Sequence, residues 1–355
     1  MKSTSNINKF IIAGPCSAES KEQLISTAVK INEKTNISFL RAGIWKPRTR
    51  PNSFEGVGKV GLNWLKEAGE KINKPVITEV ASTSHVEAAL KTGIDALWIG
   101  ARTTVNPFLT EEISEALRGV KIPIGIKNPI NPDINLWIGA FERIKQKTKG
   151  EIFLIHRGFS YFGKSQYRNN PNWEIPIEMM RNFPKIPMIC DPSHICGDRK
   201  LIFNVSQKAF DLNMSGLMVE THFNPNQAKS DSKQQITPED LSNLISDLIL
   251  KEEFSIDKEF TNALQLLRSK IDTLDQEIIN LFNQRFSIVE KIGDYKKENK
   301  VTVFQPERWN EIIESRKKTA KALDIDLNFI KDYIDLIHKE SIRLQTEIVN
   351  KEKHV

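Results

Sequence analysis

From about residue 10 to about residue 250, short apolar runs of strand length alternate with longer segments whose apolar positions recur at helical spacing. Eight strand–helix units can be counted, with strands predicted at Phe10–Gly14, Ser38–Ala42, Pro75–Glu79, Ala96–Gly100, Pro123–Lys127, Ile152–His156, Met188–Cys190 and Gly216–Glu220. The runs are almost continuously apolar, as expected of parallel strands covered on both faces. Helical segments between them include Lys21–Glu33, Lys59–Ile72, Ser84–Lys91, Pro107–Leu117, Ile134–Lys147 and Lys200–Leu212. The eighth helix is Pro238–Leu250, with Thr237 suited to cap it and Pro238 at its first position. Regular βα alternation at this length predicts an α/β fold, a closed (β/α)8 TIM barrel.

After Leu250 the pattern changes. Lys251-Glu252-Glu253 opens a charged stretch, and beyond it no strand-like run follows. Leu264, Leu267, Ile271, Leu274, Ile278 and Leu281 repeat at alternating spacings of three and four, the apolar seam of a long helix that packs on other helices. Glu307–Leu323 and Leu327–Ile348 complete an all-α three-helix domain. The predicted division is a barrel over 1–250, a linker over 251–260 and a helical domain over 261–355.

Composition narrows the class. Lys plus Arg number 51 against 45 Asp plus Glu, and the basic residues are mixed with acidic ones throughout, which argues against nucleic acid as a partner. No run approaches the ~20 apolar residues of a membrane helix. The polar start, Met1 to Phe10, lacks the apolar stretch of a secretory signal, so a cytoplasmic location is expected. Cys16, Cys190 and Cys196 make no even disulfide framework.

In such a barrel the chemistry projects from the C-terminal ends of the strands. Here those ends carry Cys16, Arg41 with Lys46 and Arg48, Arg102, Lys127, Arg157, Asp191 with His194, and Glu220 followed by Asp231. Six cations on one face repel one another unless anionic ligands such as phosphates and carboxylates neutralise them. Cys16, His194, Glu220 and Asp231 follow strands one, seven and eight, which adjoin in a closed barrel. Their thiol, imidazole and carboxylates suit a borderline divalent ion such as Mn, Fe, Co or Zn, although unrelated loop residues fit the same spacing.

Gly14-Pro15-Cys16-Ser17, Lys46-Pro47-Arg48-Thr49, Gly100-Ala101-Arg102, His156-Arg157-Gly158 and Asp191-Pro192-Ser193-His194 occur in one order, and with them residues 11–240 resemble the short form of 3-deoxy-D-arabino-heptulosonate 7-phosphate (DAHP) synthase. The resemblance implies condensation of phosphoenolpyruvate with erythrose 4-phosphate, and a metal held by Cys16, His194, Glu220 and Asp231. It implies that Arg102, Lys127 and Arg157 hold the phosphate of phosphoenolpyruvate, that Arg41 and Lys46 take its carboxylate, and that Arg48 and Thr49 hold the sugar phosphate. Lys46 is the implied proton donor. The rival is the related 3-deoxy-octulosonate 8-phosphate synthase, which uses arabinose 5-phosphate; the Pro47-Arg48-Thr49 continuation argues for the four-carbon sugar. A Cys16–Cys196 disulfide that blocks metal binding is a further expectation to test.

In the helical tail the seam's next position is Arg285, and Lys296 lies eleven residues on, a net rotation of ~20° and roughly 16 Å along the axis, so the two share a face and can clamp a small dianion. Arg268 points ~100° away from that face. Ser341 and Gln345 share a face at i, i+4. Periodicity alone favours an oligomerisation arm. Residues 264–350, however, resemble the all-helical chorismate mutases, with Arg268, Arg285, Lys296, Arg308, Ser341 and Gln345 at matching positions. The resemblance implies rearrangement of chorismate to prephenate without a cofactor, Lys296 and Gln345 acting on the breaking ether bond, and an intertwined homodimer in which Arg268 reaches the partner's site. Gln305 and Trp309 stand where that family has acidic residues, with Glu307 a candidate substitute. If it does not substitute, the tail is expected to be a sensor rather than a mutase. Because the chain starts close to the first strand, no N-terminal regulatory domain is expected, and chorismate or prephenate in the helical domain is expected to inhibit the barrel.

Overall fold

The computed structural model describes residues 10–46, 54–251 and 255–351. The chain divides into two compact units, Met1–Glu253 and Phe254–Val355.

The first unit is a closed parallel barrel in which sequence neighbours pair and the last strand closes on the first. Its strands are β1 (Phe10–Gly14), β2 (Phe39–Arg41), β3 (Val76–Val80), β4 (Ala96–Ile99), β5 (Ile124–Lys127), β6 (Ile152–His156), β7 (Met188–Cys190) and β8 (Gly216–Glu220). β3 and β5 begin one residue later than the apolar runs because Pro75 and Pro123 have no N–H for the ladder. β4 ends at Ile99, since Gly100 caps a short helix, Ala101–Thr104, that places Arg102 in its first turn. The connection after β6 holds a helix absent from the segments read off the sequence, Glu174–Asn182. Polar caps set the helix starts: Ser20, Ser82, Asn106 and Asp133 each accept a backbone N–H, and Thr237 forms a reciprocal capping box with Asp240.

Two apolar layers hold the barrel. One lies between strands and helices. The other, formed by Ile12, Ile77, Ala96, Trp98, Phe153, Ile155, Ile189 and Met218, fills the interior. Side chains alternate along a strand. The next inward positions after these interior residues are therefore Gly14, Glu79, Gly100, Arg157, Asp191 and Glu220, and Arg41 and Lys127 lie in the same mouth over Trp98. The apolar plug carries a charged layer on its upper surface.

The second unit has three helices, Lys258–Glu298, Pro306–Ala322 and Leu327–Asn350. The first begins inside the stretch expected to be linker, because Asp257 caps it by accepting the N–H groups of Glu259 and Phe260. Its C-terminal half packs on the last helix, where Gly293 approaches Ile348 so closely that a Cβ would stand 3.1 Å from its side chain. From near its start to just past its middle, Leu267, Ile271, Leu274, Ile278 and Leu281 are exposed. No helix among the described residues is long and apolar enough to cross a membrane.

Candidate active sites

At the barrel mouth, donor atoms of Cys16, Glu220 and Asp231 lie within 4.8 Å of one another. Gly14, which leads from β1 to Cys16, lets the β2 backbone come close: its φ is 147°, and a Cβ there would stand 2.1 Å from the Arg41 carbonyl oxygen. The Cys16 Sγ lies 3.2 Å from Asp231 Oδ2 and accepts a hydrogen bond from Lys46 Nζ at 2.8 Å. Glu220 is fully buried, with Oε1 3.2 Å from Arg41 and 3.6 Å from His194 Nε2. His194 stands outside the 4.8 Å group, at its edge.

The electrostatics suit a cation. Burial, then the Glu220 carboxylate, push the Cys16 thiol well above its ordinary range, so the thiolate forms there only with positive charge beside it. Glu220 and Asp231 are held below the usual carboxylate range against the cost of their own burial: His194 acts most strongly on both when it is protonated, and with His194 neutral the permanent cations remain, Arg41 and Lys46 beside Glu220 and Arg168 and Lys46 beside Asp231. Burial lowers the His194 pKa, keeping a neutral imidazole whose Nδ1 lies 2.8 Å from Asp191 and whose Nε2 faces Glu220. A thiol, two carboxylates and a neutral imidazole oriented by a further carboxylate are donors suited to one divalent ion. All three cysteines are free and buried, with no disulfide between Cys16 and Cys196.

Beside this group Arg41, Lys127 and Arg157 are buried. Lys127 pairs with Asp191 at 2.8 Å, and the Arg157 guanidinium has its pKa brought down to about 10, chiefly by burial. Arg102 is exposed at the rim, and Arg48 and Thr49 lie outside the described residues. The cations are interleaved with carboxylates more than the strand-end count implied: Asp191 and Glu220 neutralise part of the layer, and Glu79 accepts a hydrogen bond from Trp98 Nε1 within it. Glu79 is not among the candidates from sequence, although it is the inward residue near the end of β3, a position that counting in twos from Ile77 identifies.

In the helical unit a cavity of about 770 Å³ is lined by Arg285, Lys296, Arg308, Ser341 and Gln345, five of the six residues that the resemblance implies. Arg285 donates to Ser341 Oγ at 2.7 Å, and Lys296 to the Val303 carbonyl at 2.6 Å. Arg268 is exposed and is not in the wall, consistent with its different face, and Glu307 is also exposed and outside the lining. Gln305 lines the cavity; so does Trp309, stacked on His338 with ring centroids 3.7 Å apart. Arg316, which sequence reasoning missed, adds a further cation, and no Asp or Glu is among the described lining residues. The cavity suits an anion.

A closed βα barrel with divalent-ion donors beside a cation-lined mouth defines an enzyme acting on phosphorylated, carboxylated substrates. The chain belongs to the DAHP synthetase I family, whose model matches residues 4–256, and residues 267–346 match the chorismate mutase type II model. A phospho-2-dehydro-3-deoxyheptonate aldolase of Thermotoga maritima is 33% identical over 238 residues, 67% of this chain and 68% of that protein. Its crystal structure, described as a DAHP synthase, superimposes with a TM-score of 0.60 at 31% identity, covering 72% of this chain and 70% of that one. A 2-dehydro-3-deoxyphosphooctonate aldolase of Helicobacter pylori is more distant, 28% identical over 272 residues, 69% of this chain and 96% of that protein.

Proposed function

We propose that the barrel condenses phosphoenolpyruvate with erythrose 4-phosphate to DAHP and phosphate, and that the helical unit rearranges chorismate to prephenate. The observation carrying the first reading is the buried layer of Arg41, Lys127 and Arg157 beside the Cys16–Glu220–Asp231 donors. Arg102, Lys127 and Arg157 bind the phosphate of phosphoenolpyruvate and Arg41 with Lys46 its carboxylate, charge-assisted contacts that fix the enol carbon. Arg48 and Thr49 take the sugar phosphate. Cys16, His194, Glu220 and Asp231 would hold a divalent ion (Mn, Fe, Co or Zn), which would supply polarisation of the aldehyde carbonyl. The enol carbon of phosphoenolpyruvate bonds to the aldehyde carbon, Lys46 Nζ gives a proton to the developing alkoxide, water adds at the adjacent carbon and returns a proton to Lys46, and the C–O bond to phosphate breaks as the new hydroxyl passes its proton to the departing phosphate and becomes the ketone.

In the helical cavity Arg285, with Arg268 of a second copy, binds the chorismate carboxylates, while Arg308 and Ser341 line the site. Lys296 and Gln345 stabilise charge on the ether oxygen as its bond breaks; the rearrangement needs no cofactor. The exposed Leu267–Leu281 seam supports a homodimer through this unit. Phosphorylated substrates and free thiols support a cytoplasmic location.

The test is phosphoenolpyruvate consumption with erythrose 4-phosphate and then arabinose 5-phosphate, before and after chelation and Mn²⁺ re-addition, with chorismate loss followed in parallel. Erythrose-specific, chelator-sensitive turnover is expected. Preference for arabinose 5-phosphate would move the barrel to the octulosonate reaction, and no chorismate loss would leave the helical unit as a sensor.

A further inference from the structure

The connection between β6 and the helix Glu174–Asn182 carries Arg168, a residue that strand-end reasoning passes over because it is in neither a strand nor a helix. Its guanidinium nitrogen donates at 3.0 Å to Asp231 Oδ1 and at 2.7 Å to the carboxamide oxygen of Gln234. Gln234 is buried, and its Nε2 donates at 2.7 Å to Glu220 Oε2. One arginine thus holds Asp231 directly and Glu220 through a single carboxamide. In each carboxylate the oxygen held this way is not the one that faces Cys16 or His194. The other oxygen of Asp231, Oδ2, is the one 3.2 Å from Cys16 Sγ. The other oxygen of Glu220, Oε1, faces His194 Nε2 at 3.6 Å and the Arg41 guanidinium at 3.2 Å, an ion pair without hydrogen-bond geometry.

The same connection grips the third element of the site. The Arg168 N–H donates to the Cys196 carbonyl, the Asn169 N–H to that of Ile195, and Asn169 Nδ2 to that of His194 at 2.6 Å. Asp231 has a left-handed backbone, φ 47°, uncommon in residues with a Cβ although Asp tolerates it better than most. A carboxylate with one oxygen tied back presents the other as a single, directed donor, and loses the freedom to chelate with both or swing away. Partners of this kind behind metal ligands govern affinity by orientation.

We propose that Arg168 and Gln234 are positioning residues of the metal centre, holding Asp231 and Glu220 as one-oxygen ligands of a divalent cation. This rests on the metal reading above. The test uses the full-length protein stripped with chelator, with Mn²⁺ as the probe and free Mn²⁺ counted by electron paramagnetic resonance. The wild type is expected to bind one Mn²⁺ per chain. Arg168→Met keeps the aliphatic stem but removes the donors, and is expected to weaken Mn²⁺ binding by about 10–100-fold. Gln234→Met is expected to do the same, while Arg168→Lys, which keeps the charge but reaches only one partner, recovers part of the loss. Thermal unfolding followed by tryptophan fluorescence, with Trp98, Trp137 and Trp173 in the barrel, reports in each variant whether that unit is intact. Wild-type affinity in Arg168→Met and Gln234→Met overturns the positioning role alone. Should Arg168→Met fail to fold, Arg168→Lys and Gln234→Met decide the same question. Absence of Mn²⁺ binding in the wild type overturns the metal reading, and the proposal with it.

Discussion

His156 ends β6, is fully buried, and neither of its ring nitrogens makes a hydrogen bond among the described residues. Its ring packs against Trp173 and Phe159, with centroids 5.1 and 5.8 Å away. Burial, and then the neighbouring Arg157 charge, lower its pKa from 6.5 to about 3. The folded value lies below the unfolded one, so as pH falls through about 6.5 the unfolded chain binds the proton and the folded chain does not. Stability therefore declines on the acid side and goes on declining until about pH 3. At about 1.4 kcal/mol per pH unit, the group removes roughly 2 kcal/mol between pH 7 and pH 5. His156→Phe deletes that linkage while keeping an aromatic ring against Trp173. The larger ring costs about 1–3 kcal/mol of overpacking, but that cost is the same at both pH values and drops out of the difference. The assay is thermal unfolding of the full chain at pH 7 and pH 5, followed by barrel tryptophan fluorescence. At about 2–4 °C per kcal/mol for a unit of this size, the acid-induced fall in apparent Tm should be smaller in the variant by about 4–8 °C. Equal falls in variant and wild type would mean that His156 is hydrated or hydrogen-bonded, and the reasoning fails.

Other outcomes follow from the same contacts. Asp191→Asn keeps the cap on the His194-bearing helix but strands Lys127, whose side chain is 4% exposed, so it should cost about 3–5 kcal/mol. Pairing it with Lys127→Met should restore much of that stability but no synthase activity; a neutral single variant in thermal unfolding would refute the pair. Arg285→Ala should lower mutase kcat/KM by at least about 100-fold, since a charged contact and its Ser341 bond are lost, with phosphoenolpyruvate turnover unchanged. Leu274→Glu in the exposed seam should shift sedimentation toward monomer, and a retained dimer would place the interface elsewhere. Prephenate should inhibit the synthase reaction in the wild type and not in Arg285→Ala; equal inhibition in both would exclude the helical cavity as the sensing site.

How much of this is legible in the chain depends on whether the cause is periodic. The eight strands are readable because strands buried on both faces leave unbroken apolar runs, and the residues just past them follow, since a barrel has only one chemically open end. Arg285 and Lys296 are readable because a helix converts spacing into direction without help from the rest of the fold, and both line the cavity. Arg168, Gln234 and Arg316 are not. Arg168 sits in a long connection whose path is set by hydrogen bonds to Ile195 and Cys196, and no periodicity foretells those. Asp191 is visible only as part of a motif. Its work, accepting Lys127 and His194 while capping a helix of five residues, depends on β5 and β7 delivering Lys127 and Asp191 to the same point in the mouth. The fixed carboxylates correct the charge argument itself. Six cations gathered on one face imply repulsion waiting for anionic substrates, but Asp191 and Glu220 already bind two of them. The site is thus a lattice of alternating charge, in which an incoming phosphate or carboxylate competes with fixed carboxylates for cations that are already oriented. That preorganisation lowers the cost of aligning them and makes each fixed carboxylate a determinant of substrate affinity.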